Sequence, residues 1–511
     1  MNAKAPSKLS SKHGNADRVV RFLNDALSSS QESVDNASLI LFRFVFGLTM
    51  AVWAWDYLTL GRVTRLYVEP EFLFSWYGFD WVQPWGGVGM YVHFWAMLLL
   101  ALMIAVGFLY RFAAVGFAVL FTYFFLLDRT NYQNHYYLIT IFSWVMVVLP
   151  LNRNVSVDCR LKPSLITQVI PRWCLWAVQL HIAIPYFMGG VAKLTPDWMV
   201  GQPMGKMLSA QSGLPVIGPW LAWDPMAILL SYFGILFDLL VVPGLIWRRT
   251  RLIAFLSAIA FHLMNSVLFD IHIFPWFMLF GSTIFFEPSW PRQILSNGKS
   301  QILPERPKGQ AEWTTSRKFA VALTTLYICF HAVWPLRHNL YSGETSWNER
   351  GHLFAWRMML RGKDVGIGFA LKDPLSQQVT NVDHQRYLSP EAASKFGRDP
   401  EMVLHLAHFL ADSYEEKVGR RPEVYAFALT SLNGRKPQLM IDPNANLAEV
   451  PRGIYFNRDW VLPLTEPLRL EPWRVPVADW KQFVEIPELT FMPKTESETA
   501  LIGSREHARI D

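Results

Sequence analysis

The sequence predicts a polytopic α-helical membrane protein of about nine transmembrane helices with a C-terminal extracytoplasmic β-rich domain. Three observations carry this. First, 52% of the 511 residues are hydrophobic and only 17% charged, where soluble chains carry roughly 25% charge. Second, apolar stretches recur through residues 36–336, several near the ~20 helical residues that cross a ~30 Å hydrocarbon layer. Third, the chain turns polar from Arg337 onward, and Asn433-Gly434 separates two strand-like runs, a strong signal for a type I′ hairpin turn.

Residues 1–35 are polar and basic, without a convincing cleavage site, and form a cytoplasmic N-terminal segment. The predicted spans are 36–58, 91–110, 112–127, 136–151, 173–192, 225–247, 252–269, 272–286 and 319–336. Residues 36–336 therefore make the transmembrane domain, 337–493 the extracytoplasmic domain, and 494–511 a disordered tail. In the C-terminal part, 424–432 and 437–442 read as paired strands and 389–418 as a helix. With the N-terminus inside, the inner segments hold 19 Lys/Arg and the outer loops before the C-terminal domain hold five. That asymmetry sets the orientation, and nine crossings put the C-terminus outside. The location expected is a bacterial inner or plasma membrane. The net charge of +6 is small and lies largely between spans, so it argues topology and not nucleic-acid binding.

The span 173–192 holds no Lys, Arg, Asp or Glu, yet Gln179, His181, Pro185 and Gly189-Gly190 interrupt it and Lys193 ends it. A lysine at a helix end commonly runs its stem through lipid and leaves its ammonium in the interface. Buried, it can serve as a base, because burial disfavours the charged form. His135 precedes the fourth span on the same outer side; it reads either as an interfacial histidine or as a proton carrier near Lys193. His262 and Asn265 are three apart on one helix face. They fit an interhelical hydrogen-bonding pair or the polar edge of an aromatic pocket. Asp270 and His272 follow them. Arg43 and Asp238 are further intramembrane charges, expected as a structural ion pair because an unpaired buried charge is costly. Cys159, Cys174 and Cys329 lack CxxC spacing, and His/Asp/Glu spacing offers no metal box.

Four blocks resemble the vitamin K-dependent gamma-glutamyl carboxylase family, in its compact bacterial-type form with a horizontally transferred transmembrane domain. They are LLDRTNYQNHYYL, YFMGGVAKLTPDWMVGQPM, FHLMNSVLFDIHIFPWFML followed by EPSWPR, and, in the C-terminal part, FAWRMML with VYAFALTSLNGRKPQLMIDP. The resemblance spans roughly residues 37–472. It implies that vitamin K hydroquinone is oxygenated to its epoxide by O2 and that this drives CO2 addition to glutamate side chains. On this resemblance Lys193 and His135 are the catalytic residues, and His262, Asn265, Trp198 and Asn134 contact the quinone. Lys193 would deprotonate the hydroquinone, whose reaction with O2 yields a base strong enough for the glutamate γ-proton. Implied partners are a glutamate-containing peptide or protein, membrane lipid and a quinone reductase. The family pattern has two adjacent lysines, and Ala192 stands in the place of the first. Lys193 is thus expected to be tuned by burial and not by a neighbouring charge. The inter-segment cysteines of the animal pattern are absent, and the C-terminal part is shorter. Two further readings are quinol epoxidation without protein carboxylation, and a non-catalytic lipid-binding or transporter-like protein. Against the last, no corresponding pair of interrupted helices is found in two halves of the chain.

Overall fold

A computed structural model describes residues 28–269, 271, 273–296, 314–453, 458–485, 487, 489 and 491, with the isolated positions 18 and 25. Asp270, His272, the tail 494–511 and most of the segment 1–35 lie outside the described residues.

The apolar stretches fold as α1 (Ala37–Thr59), α2 (Gly89–Val106), α3 (Tyr110–Leu127), α4 (Asn134–Val148), α5 (Arg172–Ala192), α6 (Asp224–Ile246), α7 (Arg251–Leu268), α8 (Phe274–Ser282) and α9 (Thr315–Val333). Each predicted span overlies one of these helices. Six of the described helices, α1, α2, α3, α5, α6 and α7, are long and apolar enough to cross a membrane. The fourth and eighth predicted spans give shorter apolar helices, and α9 has the length with less apolarity. The bundle is that of a multi-pass membrane protein.

The helices pack through an aromatic core. Trp53 and Tyr57 of α1 meet Phe94 of α2 and Phe121 and Phe124 of α3. The polar edges of this cluster close on one another, since Trp53 Nε1 and Tyr57 Oη lie 3.3 and 3.1 Å from Tyr136 Oη. α1 and α2 cross backbone to backbone at Gly47, where a Cβ would lie 2.5 Å from the Ala105 nitrogen. Only glycine fits such an approach.

The expected pairing of Arg43 with Asp238 does not form. Arg43 donates to the carbonyls of Leu151 (3.0 Å) and Val155 (2.8 Å) and so closes the turn after α4. Carbonyl dipoles compensate this buried cation, leaving Asp238 for another partner.

The C-terminal region is mixed α/β and not β-rich. Its antiparallel sheet, in the order β4-β3-β5-β6, is formed by β3 (Lys363–Lys372), β4 (Val379–Val382), β5 (Glu423–Leu432) and β6 (Gln438–Leu439); β1 (Ser33–Asp35) and β2 (Val169–Pro171) pair separately. The 19-residue helix α10 (Pro400–Val418) packs on β5, and Asp399 caps it by accepting from the Glu401 N–H at 3.0 Å. Such a helix needs only one apolar stripe to cover one face of a short sheet. Asn433 and Gly434 both have positive φ, and the Arg435 N–H donates to the Leu432 carbonyl at 3.0 Å, as a type I′ turn requires. The returning strand is shorter than 437–442. The loop between α1 and α2 sends Phe72 and Phe74 into the core of this C-terminal region. The Arg129–Asp399 ion pair (2.6 Å) fixes the segment before α4 to it.

Candidate active site

Where one end of the bundle meets the C-terminal region, a cavity of about 290 Å³ opens. Lys193, His135, His262, Asn265, Trp198 and Asn134 all line it, so residues far apart in sequence, from Asn134 to Asn265, converge on one space. Phe261, Leu268, Phe269, Phe274, Met278, Met358 and Met359 supply apolar walls.

α5 stays helical through Pro185 and ends at Lys193. Its last turns carry Gly189 and Gly190, which let α6 come close: a Cβ on Gly190 would stand 3.1 Å from Asp238 Cβ. This approach puts Lys193 Nζ 2.5 Å from Asp238 Oδ2. Both residues are buried, at 6% and 3% exposure. Nζ also lies 3.4 Å from the Gly189 carbonyl and 5.4 Å from the centre of the Trp198 ring. Trp198 is itself pinned, donating from Nε1 to the Ser231 carbonyl at 2.8 Å. Across the cavity, His262 Nε2 lies 2.6 Å from Tyr186 Oη, which is 3.3 Å from Ser282 Oγ. His262 Nδ1 is buried without a partner among the described residues. His135 stacks on Phe274 at 5.4 Å, and Asn134 Oδ1 accepts from Tyr132 Oη at 3.1 Å.

Residues 31–290 match the family model described as the HTTM domain. Residues 316–467 match the one described as vitamin K-dependent gamma-carboxylase, lumenal domain. The chain belongs to the vitamin K-dependent gamma-glutamyl carboxylase family. No solved structure matches it.

The family's two regions build the cavity jointly. Lys193, Asp238 and His262 come from the HTTM domain, whereas Met358 and Met359 come from the lumenal domain. The methionines ride on a contorted strap in which Phe354, Trp356 and Met359 all have positive φ, a costly conformation for such residues that surrounding structure must impose. Here a buried charge cluster anchors both ends. Glu349 is bound by Arg361 and by Lys363 Nζ at 2.7 Å, and Lys363 also donates to the Trp347 carbonyl. Burial alone would raise the Glu349 carboxyl, but Arg361 and Lys363 hold it below the usual carboxylate range.

Two features of this candidate site differ from the sequence expectation. Lys193 has an adjacent charge after all, from Asp238 on another helix and not from position 192. Tyr186, Ser282 and the strap methionines were not singled out; they carry no distinctive spacing, and only the FAWRMML block pointed to the strap. Gln179 and His181, the other polar residues of α5, face elsewhere: Gln179 donates to the Ile284 carbonyl at 3.1 Å, and His181 bonds Tyr327 of α9.

Proposed function

We propose that the protein is an integral membrane vitamin K-dependent gamma-carboxylase in which Lys193 is the base and Asp238 its proton partner. The observation that carries this is the buried Lys193–Asp238 pair on the wall of an apolar cavity. The cavity suits a planar quinol: its walls are Phe, Leu and Met, and polar groups of His262, Asn265 and Lys193 sit at its edges, the usual layout of a small-molecule site. When bound, vitamin K hydroquinone would be oxidised by O2 to epoxide and water, four electrons passing from quinol to O2, and that chemistry would furnish a base strong enough to take a glutamate γ-proton. CO2 then takes the place of that proton on the γ-carbon.

The residues' own work is proton handling and shielding. In a low-dielectric site, separated charges gain little over the neutral pair. A proton passed from Lys193 Nζ to Asp238 Oδ2 leaves the pair uncharged and frees a lone pair on Nζ. Nζ can then accept a hydroxyl proton from the quinol. His262, oriented through Tyr186, keeps Nδ1 as a second polar contact, with Asn265 beside it; His135 and Asn134 close the outer wall. Trp198 and the strap methionines exclude water, which would quench a strong base.

In this reading the chain crosses the membrane nine times with its N-terminus inside, residues 337–493 form the extracytoplasmic domain that meets the glutamate substrate, and a separate reductase regenerates the quinol. The test incubates the purified protein with vitamin K hydroquinone, O2 and labelled CO2 and assays epoxide and carboxyglutamate together. Both products are expected, and both are lost in Lys193→Ala. Epoxide without label in any glutamyl peptide restricts the activity to quinol oxygenation. A Lys193→Ala protein with normal epoxide formation removes the assigned base.

A further inference from the structure

Between α5 and α6 the chain runs through two short helices, Met204–Ser209 and Gly218–Leu221. From Met207 to Trp223 it holds no charged residue, and Lys206 and Asp224 bracket the stretch. Both of its sides are apolar. Leu208, Leu214 and Leu221 turn inward and pack with Met226, Ala227 and Leu230 of α6. Val216, Ile217, Trp220 and Trp223 turn outward, with Val216 88% and Trp220 62% exposed.

A contiguous apolar face of this kind marks an interaction surface. Three observations name its partner as lipid. First, the face runs on into the exposed apolar stripe of α6, where Leu229, Tyr232, Leu236 and Leu240 recur at helical spacing on a helix long and apolar enough to cross a membrane. Second, α6 begins at Asp224, so Trp220 and Trp223 stand at the end of that stripe, the level at which amphipathic tryptophan rings collect in membranes. Third, charge returns just where the face stops. Asp224 lies 3.8 Å from Arg474 of the C-terminal region, with both side chains more than half exposed, as suits groups among lipid headgroups.

We infer that residues 207–223 form an interfacial element lying in one leaflet of the bilayer. Val216, Ile217, Trp220 and Trp223 enter the boundary between headgroups and acyl chains, while Leu208, Leu214 and Leu221 hold the element to the protein. An apolar face set parallel to the membrane and bounded by charge sits at about 5–10 Å into that boundary. The bilayer then bears on the connection that brings Trp198 and Met204 to the cavity, whatever reaction takes place there.

The test measures depth in the full chain in phosphatidylcholine nanodiscs. Cys329→Ala removes the exposed cysteine and leaves Cys159 and Cys174, which are buried. In that background Val216→Cys carries an environment-sensitive fluorophore. Leu375→Cys, at a 78% exposed position between two strands of the C-terminal sheet, carries it as the aqueous control. Lipids with a nitroxide near the headgroup should quench the Val216→Cys label at least about twofold more than aqueous iodide does, and more than lipids with the nitroxide at the acyl terminus. The Leu375→Cys label should show the reverse preference for iodide. Should Val216→Cys fail to fold, Trp223→Cys carries the label at the other end of the face with the same expectation. Stronger quenching by iodide overturns the inference, because the face then lies in water. Quenching by neither agent overturns it too, because a partner protein or a second copy then covers the face.

Discussion

Lys193 Nζ and Asp238 Oδ2 stand 2.5 Å apart in residues that are 6% and 3% exposed, which joins the end of α5 to the middle of α6. Removing one member strands the other. Asp238→Asn keeps the shape but loses the proton acceptor, so epoxide formation should fall about 10²-fold or more. Thermal stability should fall too, because breaking a buried pair costs about 3–5 kcal/mol. Lys193→Met combined with Asp238→Leu should regain stability without regaining turnover, as apolar replacement of a whole buried pair often does. Normal turnover in Asp238→Asn would exclude the proton-partner role.

Helix spacing should control the same pair. A Cβ on Gly190 would lie 2.8 Å from Leu239 Cδ2 and 3.1 Å from Asp238 Cβ. Gly190→Val should therefore push α6 away, costing about 1–3 kcal/mol by overpacking and lowering epoxide formation. Gly190→Ala should be milder, since the Leu239 terminus can move. Unfolding curves and turnover for the two variants check the order; equal, unimpaired behaviour would contradict it.

A clamp between the two matched regions positions Trp198. Asp197 accepts two hydrogen bonds from Arg435, at 2.6 and 2.8 Å, and one from Asn433 at 2.8 Å. Arg435→Gln should lower stability by about 1–3 kcal/mol, since the pair is part-buried and its charge-assisted hydrogen bonds are lost, and reduce turnover because Trp198 is the next residue. Turnover at the parent's rate in a folded Arg435→Gln protein would show that the clamp does not reach the cavity.

The C-terminal domain should be acid-sensitive at His405. This imidazole packs edge-on against Phe72 at 4.9 Å, and burial, helped by Arg452 and Arg129, holds it at about 2. The folded state thus binds its proton less readily than the unfolded state, whose histidine titrates near the ordinary value of about 6.5. Its contribution to stability is present above that value and is lost as pH falls through the window from ~6.5 towards ~2, at up to about 1.4 kcal/mol per pH unit. His405→Asn should flatten the fall of unfolding temperature between pH 6.5 and 4. An unchanged slope would assign the sensitivity to other groups.

Much of this was legible in the residues. The apolar stretches predict helices because a span must satisfy its backbone internally, and α1 to α9 follow them. The Asn433-Gly434 turn was readable because two positive φ values select for those residue types. The helix read over 389–418 forms over Pro400–Val418, but the sheet beside it is smaller than expected: strand pairing is a long-range choice, and two of the four strands are only two and four residues long. At the site, Lys193, His135, His262, Asn265, Trp198 and Asn134 were named from sequence, and they share one cavity.

By itself, then, the sequence determined which segments are apolar, where polar residues interrupt them and which blocks carry the family resemblance, since these are properties of local composition and order. Only the tertiary structure decided who partners whom. Arg43 and Asp238 were equally plausible partners as isolated charges, but helix rotation and height gave Arg43 to two carbonyls and Asp238 to Lys193. Those two parameters are set by packing at contacts such as Gly189 and Gly190, summed over the whole bundle, and no single span encodes them.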